Sequence, residues 1–559
     1  MKLTVFFASL VILLSTYMHP IESRKETYDV GSIIIEQCDD SISEEQSENT
    51  IAGYVCFAKR FVEYEQVEQT LRPIIKWKAA RAGFVVVQLL SADDDIIART
   101  VADENGLYDF QNLNLNVSSN YRLRALSQTQ LNDTTNTVIG WSELPYAWSN
   151  PSFQSDLSKG IRQNIVINAA NVAPAFNILS TFIIGQQFLN DVAGIVRVED
   201  LNSVWYSGFN AYTSYCPGNA NCDPANTIFV TGDVIDNDAH DDRVVLHEYG
   251  HFVLFNYSRD DSLGGAHFNH DNRQDLRLSW SEGFATAFQA MARDYAGNDR
   301  PEIYVDTNNT GLPTVFYSVE EPSGLHGLSP KGMASEVAVS AVLWDIYDGG
   351  HGESYDQVSR EFNSLWDTLT ALQHDRDVNF THFNRHWQGS SLTSIYDYFS
   401  IDFSADVYEI NDDYQTAQMI NTDLSYQASL HTRNDDDWYK VYLNANIEYE
   451  AFTSDSINGA DTVLELYRVD DAGLQFIKAH NGTSDFNDRV YVQDEKSGRI
   501  LFELDSYLNF RPSDSGFYYL RVRRWGTHAR DNVTSYDYIP RYGNYSLKVN
   551  TVPQAQVSS

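Results

Sequence analysis

The chain has 559 residues, and its 77 acidic against 39 basic side chains give a formal net charge of −38. So negative a chain excludes nucleic acid and anionic lipid as partners, because both bind basic surfaces. Its length predicts about three or four domains.

The first 23 residues have the composition of a secretory signal peptide. Met1 and Lys2 precede the apolar run LTVFFASLVILLS, which is too short to cross a bilayer, and Ser23 is a suitable cleavage point. No later run reaches the ~18 to 20 apolar residues of a membrane helix. We therefore expect a secreted protein without a transmembrane anchor, and we expect it to be a monomer.

The four cysteines predict two disulfides, because an even number of cysteines in an exported chain is typical of disulfide pairing. Three connectivities are possible from the sequence alone, and we expect the local one: the turn CPGNANC would bring Cys216 close to Cys222 and leave Cys38 to pair with Cys56. Free buried thiols are the alternative. Acceptor sites of the Asn-x-Ser/Thr type, which allow glycosylation, occur at Asn116, Asn132, Asn256, Asn308, Asn379, Asn481, Asn532 and Asn544.

Residues 24–78 show no assignable pattern, and the segment after them alternates β-rich runs with Asp, Asn and Gly turns. Within it, ADENGLYDF is followed by the closing run YRLRA. This order resembles the carboxypeptidase regulatory-like family of β-sandwiches. The resemblance implies a small N-terminal β-sandwich over residues 79–170.

Helical spacing begins at about Ala173 and indicates a mixed α+β region over residues 171–400. The first helix is predicted at APAFNILSTFIIGQQFLND, and TIFVTGD is a short strand. Three further helices are predicted at DDRVVLHEYGHFVLFNYS, SWSEGFATAFQAMARDY and MASEVAVSAVLWDIYD.

Two histidines and a glutamate lie in the second of these helices, which is apolar on nearly all sides and has Asp241 or Asp242 as its predicted N-cap. His247 and His251 are one turn apart and point the same way, while Glu248 lies about 100° round the helix from His247. Unpaired burial of such groups is costly, so a metal ion is the expected partner. Two imidazoles on one face suit Zn²⁺.

The segment HEYGH is the His-Glu-x-x-His motif of the zincin metallopeptidases, and it needs a third protein ligand. The metzincin extension requires Gly and His where this chain has Leu254 and Tyr257. Glu282, in WSEGFATAF on the next helix, completes a resemblance to the gluzincin clan. This resemblance implies zinc ligands at His247, His251 and Glu282, with a sheet edge beside the active-site helix and a mainly helical second lobe.

Other readings of this region stay open. Alternative third ligands lie in the loop before Glu282, at His267, His270, Asp271 and Asp275. Ser279 and Glu282 also have the spacing of a capping box, in which Glu282 would close a helix N-terminus and bind no metal.

Thermolysin-like members of the clan have an Asp four residues after the third ligand, where it orients the first histidine. Thr286 stands there instead, which disfavours that subfamily and leaves Glu336 and Asp345 as candidates for the orienting role.

In the expected reaction, Glu248 takes a proton from a zinc-activated water and passes it to the leaving amine. An oxyanion donor is expected at Tyr304, Tyr317 or His326.

After about Ile401 the chain consists of short strands. Their order, from DVYEINDDYQTAQMI to GNYSLKV, resembles the bacterial pre-peptidase C-terminal domain, a β-sandwich appended to many secreted proteases. The matching positions are Asp406, Tyr408, Glu409, Asn411, Asp412, Asp437, Trp438, Tyr439, Gly516, Gly543 and Tyr545. The resemblance implies a β-sandwich over residues 401–553, followed by a tail at 554–559. The acidic turns DNDAHDD and NDDDW are possible sites for structural Ca²⁺.

The sequence therefore predicts a multidomain α+β protein that is a secreted zinc metallopeptidase acting on proteins or peptides. One alternative is a catalytically silent zincin-fold adhesin or a scaffold that binds glycans or proteins. Another is an esterase or amidase that uses the same zinc. A serine hydrolase is disfavoured, because no Gly-x-Ser-x-Gly segment occurs.

Overall fold

The computed structural model describes residue 38 and residues 48–67, 70–117, 119–154, 157–218, 225–265, 267–322, 328–349, 354–431, 435–481, 492–493, 500–501, 505–525 and 543–553. The predicted signal peptide, His326, Cys222 and the tail at 554–559 lie outside these residues. The chain is of the α+β type, as predicted. Within the described residues, no helix combines the length and apolar content needed to span a membrane.

A long β-hairpin opens the described chain, in the region that the sequence left unassigned. Its strands are β1 (Ile51–Val67) and β2 (Thr70–Arg81), and β2 pairs antiparallel with residues 56–67 of β1 over its whole length. Valine, isoleucine and aromatic residues are frequent in β1, as is typical of β-structure. Cys56 on β1 forms a disulfide with Cys38, which confirms this predicted pair. Cys216 is also disulfide-bonded.

One sheet joins the N-terminal strands to those beside the candidate site. The next strands, β3 to β14, are Val85–Leu90, Ile96–Val101, Leu107–Phe110, Asn120–Leu131, Thr134–Ile139, Ala147–Ser149, Phe153–Gln154, Ile161–Arg162, Ile165–Ile167, Leu201–Val204, Ser214–Cys216 and Thr227–Phe229. The order in the nine-stranded sheet is β13-β14-β12-β7-β6-β3-β4, with β8 and β9 also paired to β6. Because β7 pairs in parallel with β12, the predicted boundary at residue 170 falls inside this sheet.

The helices pack on this sheet and on one another. Helices α1 to α7 are Ala173–Asp191, Asp242–Tyr257, Leu276–Tyr295, Glu336–Tyr347, Phe362–Ala371, Phe380–His386 and Thr393–Phe399. The first four lie where the apolar spacing predicts them. Tyr249 of α2 packs between Phe182 of α1 and Phe288 of α3, with ring centroids 5.7 and 6.0 Å away. A two-stranded sheet of β15 (Ile303–Thr307) and β16 (Pro313–Ser318) follows α3.

The predicted capping of α2 is wrong in one respect. Asp241 occupies the N-cap position, but its side chain makes no capping hydrogen bond. Its carboxylate instead pairs with the Arg60 guanidinium at 2.9 Å and accepts hydrogen bonds from Thr307. A buried ion pair with a strand far away in sequence therefore takes the place of a local cap.

Nine of the C-terminal strands form two sheets around one core, and β23 and β24 pair as a separate two-stranded sheet. Strands β17 to β27 are Gln418–Ile420, Ser425–Leu430, Asp437–Leu443, Tyr449–Ile457, Thr462–Asp470, Gly473–Asn481, Val492–Gln493, Ile500–Leu501, Tyr507–Phe510, Gly516–Arg524 and Gly543–Thr551. One sheet has the order β17-β19-β26-β21-β22 and the other β18-β27-β20-β25. Buried residues of both sheets, among them Tyr439 and Leu547, belong to one apolar cluster, which is the arrangement of a β-sandwich.

Candidate metal centre

The centre is built where α2 and α3 approach closely. A Cβ atom placed on Gly250 would lie 2.7 Å from the Cα atom of Ala285 on α3. The second x position of the His-Glu-x-x-His motif therefore requires glycine for this close contact. Gly283 has the same role toward α4, where an added Cβ would lie 2.6 Å from Val339. These glycines bring the ionisable groups of three helices together, and the motif alone did not indicate this.

Three potential ligand atoms converge at one point between α2 and α3. His247 Nε2 lies 3.1 Å from Glu282 Oε2 and 3.2 Å from His251 Nε2, and His251 Nε2 lies 3.4 Å from Glu282 Oε2. The three side chains are 11 to 13% exposed. The structure thus brings together the three residues that the sequence predicts as metal ligands.

The outer ring nitrogens explain why the inner ones face a common point. His247 Nδ1 lies 3.1 Å from Thr286 Oγ1, and His251 Nδ1 lies 3.0 Å from Ser281 Oγ. Ser281 donates its own proton to Asp260 at 2.9 Å, so its oxygen is left to accept from His251. With Nδ1 protonated, each Nε2 presents a lone pair to the centre.

Thr286 therefore fills the orienting position for which the sequence suggested Glu336 or Asp345. A threonine hydroxyl can accept from an Nδ1–H group as a carboxylate does, although it carries no charge. Thr286 is also hydrogen-bonded to the buried Tyr317 side chain. Asp345 is buried later on α4, and Glu336 binds His267.

Electrostatics at the centre favour a positive charge among the three ligand atoms. Burial lowers the pKa of His251, but the Glu282 carboxylate more than reverses this effect and raises the pKa to about 10. Burial acts to raise the pKa of Glu282, and the two histidines hold it well below its usual value. A carboxylate and two imidazoles held this closely bind either a proton or a metal cation.

Glu248 lies beside the centre and has a partner of its own. Its Oε2 atom accepts a hydrogen bond of 2.8 Å from the backbone N–H of Tyr215, on strand β13. That strand is the edge strand of the nine-stranded sheet. The carboxylate is therefore fixed at the junction of α2 and a sheet edge, and no pattern in the sequence indicates this contact.

The alternative ligands occupy different places. Among them, His267 comes nearest, with Nε2 3.7 Å from Glu282 Oε2 and Nδ1 2.8 Å from Glu336. Asp271 accepts from the backbone of Arg273. The His270 ring lies beside that of Phe268, with ring centroids 5.6 Å apart.

The capping-box reading of Glu282 is wrong. Helix α3 begins at Leu276, and its N-cap is Asp275, whose side chain accepts from the backbone N–H of Arg277. Ser279 donates to Met333 O at 2.7 Å. Glu282 thus lies inside the helix rather than at its start.

The expected oxyanion donors differ in position. The Tyr304 ring on β15 lies 6.0 Å from the His247 ring, and the side chain is half-buried. Tyr317 is buried behind Thr286, with its ring 5.5 Å from that of Tyr304. His326 is not among the described residues. Tyr304 is therefore the better placed of the two described candidates.

Both acidic turns that the sequence singled out contribute to clusters of potential metal ligands. Glu409, His431 and Asp435 offer atoms within 4.8 Å of one another, and Asp435 comes from the NDDDW turn. The other cluster has two aspartates of the DNDAHDD turn, Asp236 and Asp238, with Asp306 of β15.

Comparisons with known proteins leave the family open. No family model matches the chain. A curated protein of Archaeoglobus fulgidus, described as an uncharacterized protein, is 32% identical over 152 residues, which cover 26% of this chain and 37% of that protein. The chain thus matches well under two thirds of that protein's length.

Three solved structures each match 24% of the chain. The pre-peptidase C-terminal domain of collagenase from Bacillus anthracis is 16% identical, with 93% of its chain covered and a TM-score of 0.15. CorA, a surface-associated copper-binding protein of Methylomicrobium album BG8, has 9% identity, 98% coverage and a TM-score of 0.16. PliG of Aeromonas hydrophila, a periplasmic inhibitor of g-type lysozyme, has 12% identity, 97% coverage and a TM-score of 0.13. We draw no conclusion from TM-scores this low.

Proposed function

We propose that the chain is a zinc-dependent peptidase of the zincin type, with zinc bound by His247, His251 and Glu282. The observation that carries this proposal is the convergence of three electron-pair donors at one buried point. Zinc–nitrogen bonds of about 2.0 to 2.1 Å place tetrahedral ligands about 3.3 Å apart. The separations between the three ligand atoms are 3.1, 3.2 and 3.4 Å.

A bound zinc ion would supply Lewis-acid polarisation of a carbonyl and acidification of a water molecule. The residues around it have distinct tasks in our proposal. Glu248, held by the Tyr215 backbone, takes the proton of the attacking water and delivers it to the leaving amine. Tyr304, whose ring lies 6.0 Å from that of His247, donates to the developing oxyanion. Thr286 and Ser281 keep both imidazoles in the tautomer that presents Nε2.

The neighbouring sheet edge favours a peptide as the substrate. Strand β13 ends the nine-stranded sheet beside Glu248. An extended peptide can pair with such an edge through its backbone, which would carry its carbonyl groups past the centre. An ester or amide without a peptide backbone could not make this pairing. We also propose that the protein is secreted, which its signal-like N-terminus and its Cys38–Cys56 disulfide support.

Metal content and peptide cleavage test this function together. We expect the purified protein to contain about one zinc per chain and to cleave casein, and a chelator should abolish the cleavage. Glu248→Gln should keep its zinc but lose about 100-fold or more in turnover, because the proton shuttle is lost. Full zinc occupancy without any cleavage of casein or peptides would favour the silent scaffold.

A second pair of variants tests the ligand set. Glu282→Gln should lose most of its zinc affinity, whereas Glu336→Gln, a matched change in a carboxylate that contacts His267, should keep it. If Glu282→Gln binds zinc as the wild type does and His267→Ala does not, the third ligand is His267. Hydrolysis of simple esters without cleavage of peptides would support the esterase alternative.

A further inference from the structure

A second cluster of charged groups lies just before the active-site helix. Asp238 belongs to a short 3₁₀ helix, Asp238–His240, that leads into α2, and Asp236 precedes it in the same turn. Asp306 comes from β15, two residues after Tyr304. Each carboxylate offers an oxygen, and these three oxygens lie within 4.8 Å of one another.

The buried oxygens of this cluster lack the partners that buried polar atoms normally have. Asp238 is 7% exposed. Its Oδ2 atom accepts from the Thr213 hydroxyl, but its Oδ1 atom is buried and has no hydrogen-bond partner within the described part of the chain. The Oδ1 atoms of Asp236 and Asp306 are likewise buried and have no hydrogen-bond partner among the described residues. Three buried acceptor oxygens without a partner require an explanation, because nearly all buried polar atoms in proteins have a hydrogen-bond partner.

Neighbouring aspartates show what the cluster is missing. Asp241 is paired with Arg60 at 2.9 Å, and Asp242 with Lys59 at 2.7 Å. No ion pair joins Asp236, Asp238 or Asp306 to a lysine, arginine or histidine of the described residues. Burial and the mutual repulsion of the carboxylates raise the pKa of Asp236 to about 6 and that of Asp238 to about 8.

We propose that Asp236, Asp238 and Asp306 bind a hard divalent cation such as Ca²⁺. All three donors are oxygens, which Ca²⁺ prefers, whereas nitrogen and sulfur donors would indicate zinc or copper. A cation bound by one oxygen of each carboxylate would balance their charge. Contacts from Thr213 and Thr314 already orient two of the carboxylates.

The position of the site gives the cation a structural task. It joins the turn that leads into α2 to strand β15, which carries Tyr304. The helix with His247 and the strand with Tyr304 would therefore be held in a fixed relation by the ion. This task does not depend on zinc or on catalysis, so it can be tested without an activity assay.

Thermal unfolding in the presence and absence of Ca²⁺ tests the site, with zinc saturating in every sample. We expect Ca²⁺ at about 100 times its Kd to raise the wild-type midpoint by about 5 °C. Asp236→Asn should lose this rise, and Asp233→Asn, a matched change in the same loop outside the cluster, should keep it. Asp236 is partly exposed, so its replacement does not endanger the fold.

The variant also has a signature that a merely structural aspartate would not show. Without Ca²⁺, Asp236→Asn should unfold at or above the wild-type midpoint, because one of three repelling charges is gone. With Ca²⁺, the wild type should have the higher midpoint of thermal unfolding. Equal Ca²⁺-induced shifts in the wild type and in Asp236→Asn would overturn the proposal, even if Ca²⁺ stabilises both by binding elsewhere.

Terbium luminescence offers an independent readout. The indole N–H of Trp205 donates to Asn237 at 3.0 Å, and Asn237 lies between the two aspartates of the turn. Tb³⁺ in the cluster should therefore emit on tryptophan excitation, and Ca²⁺ should displace it. We expect this emission in the wild type and in Asp233→Asn but not in Asp236→Asn. Emission of equal intensity in the wild type and Asp236→Asn would overturn the proposal.

Discussion

Replacing Lys59 with methionine should destabilise the region around α2, the helix that carries His247 and His251. Lys59 lies on β1, and its ammonium group is 2.7 Å from Asp242 Oδ2, at the first residue of α2. The two side chains are 7% and 13% exposed. Methionine fills nearly the same space but carries no charge, so the change leaves a buried carboxylate without its counter-ion.

The size of the stability loss depends on the hydrogen bonds that Asp242 keeps in the variant. Breaking a buried ion pair on one side costs about 3 to 5 kcal/mol. Asp242 Oδ1 would still accept hydrogen bonds from Asn177 at 2.9 Å and Thr181 at 3.1 Å. We therefore expect a loss of about 3 kcal/mol, the lower end of that range. Against a typical domain stability of about 5 to 15 kcal/mol, such a loss is large.

The pH dependence of this loss has a definite sign. Burial raises the pKa of Asp242, but Lys59 outweighs this effect and lowers the pKa below 3.8. A depressed carboxyl pKa stabilises the folded state above the unfolded pKa, and this stabilisation disappears as the pH falls through the folded pKa. The difference between wild type and Lys59→Met should therefore be greatest at neutral pH and should shrink below about pH 4.

A double-mutant cycle measures the pair directly. Denaturant unfolding of Lys59→Met, Asp242→Asn and the double variant should give a coupling energy of about 1 to 3 kcal/mol. Lys78 and Glu63 form an ion pair on the same hairpin with 47% and 39% exposure, so the corresponding cycle should give about 0 to 1 kcal/mol. Equal coupling energies in the two cycles would refute the reasoning from burial.

Two further predictions concern how the metal centre is held. Thr286→Val removes the acceptor of the His247 Nδ1–H group and should weaken zinc binding about 10- to 100-fold in a competition titration. Thr286→Ser keeps the hydroxyl and should bind zinc nearly as the wild type does. Wild-type zinc affinity in the valine variant would contradict this role of Thr286. Gly250→Ala places a methyl group against the Ala285 backbone and should cost about 1 to 3 kcal/mol in denaturant unfolding. Gly516→Ala, where an added Cβ meets open space, is the control, and equal effects of the two changes would contradict the packing explanation.

Local patterns in the sequence were enough to predict the elements that carry the site. Apolar residues at helical spacing gave α1 to α4, and helical geometry put His247 and His251 on one face. The motif resemblance then selected Glu282, and the structure brings it to the same point. These features depend on residues that are close in sequence or on a pattern shared with a family.

Contacts between distant segments could not be predicted in this way. The hydrogen bond from the Tyr215 backbone to Glu248 depends on where an edge strand runs, which no side-chain pattern encodes. Thr286 carries no charge, so the motif, which predicts an orienting carboxylate at this position, does not indicate its hydrogen bond to His247. Asp241 was expected to cap α2, but Arg60, from a strand far earlier in the chain, takes its carboxylate. Pairings of this kind are decided by the tertiary fold, which overrides local preference.

The C-terminal sandwich contacts the helices of the metal centre more closely than a loosely linked module would. Asn458 Oδ1 accepts from the backbone N–H of Met333 at 2.9 Å. The adjacent Gly459 has φ of +88°, and a Cβ there would lie 2.7 Å from Leu276, the first residue of α3. Met333 in turn accepts from Ser279 on α3 through its carbonyl. The start of α3, which carries the proposed third ligand Glu282, is thus packed against the sandwich.

The N-terminal hairpin has a corresponding role at the other helix. Lys59 and Arg60 neutralise two aspartates at the start of α2, and Tyr64 accepts from Arg243 at 2.7 Å. Each of the two helices that carry the proposed metal ligands is therefore fixed at its N-terminal end by a segment from outside residues 171–400. Because ligand atoms must keep their separations to within a few tenths of an ångström to hold zinc, both flanking regions contribute to the geometry of the centre.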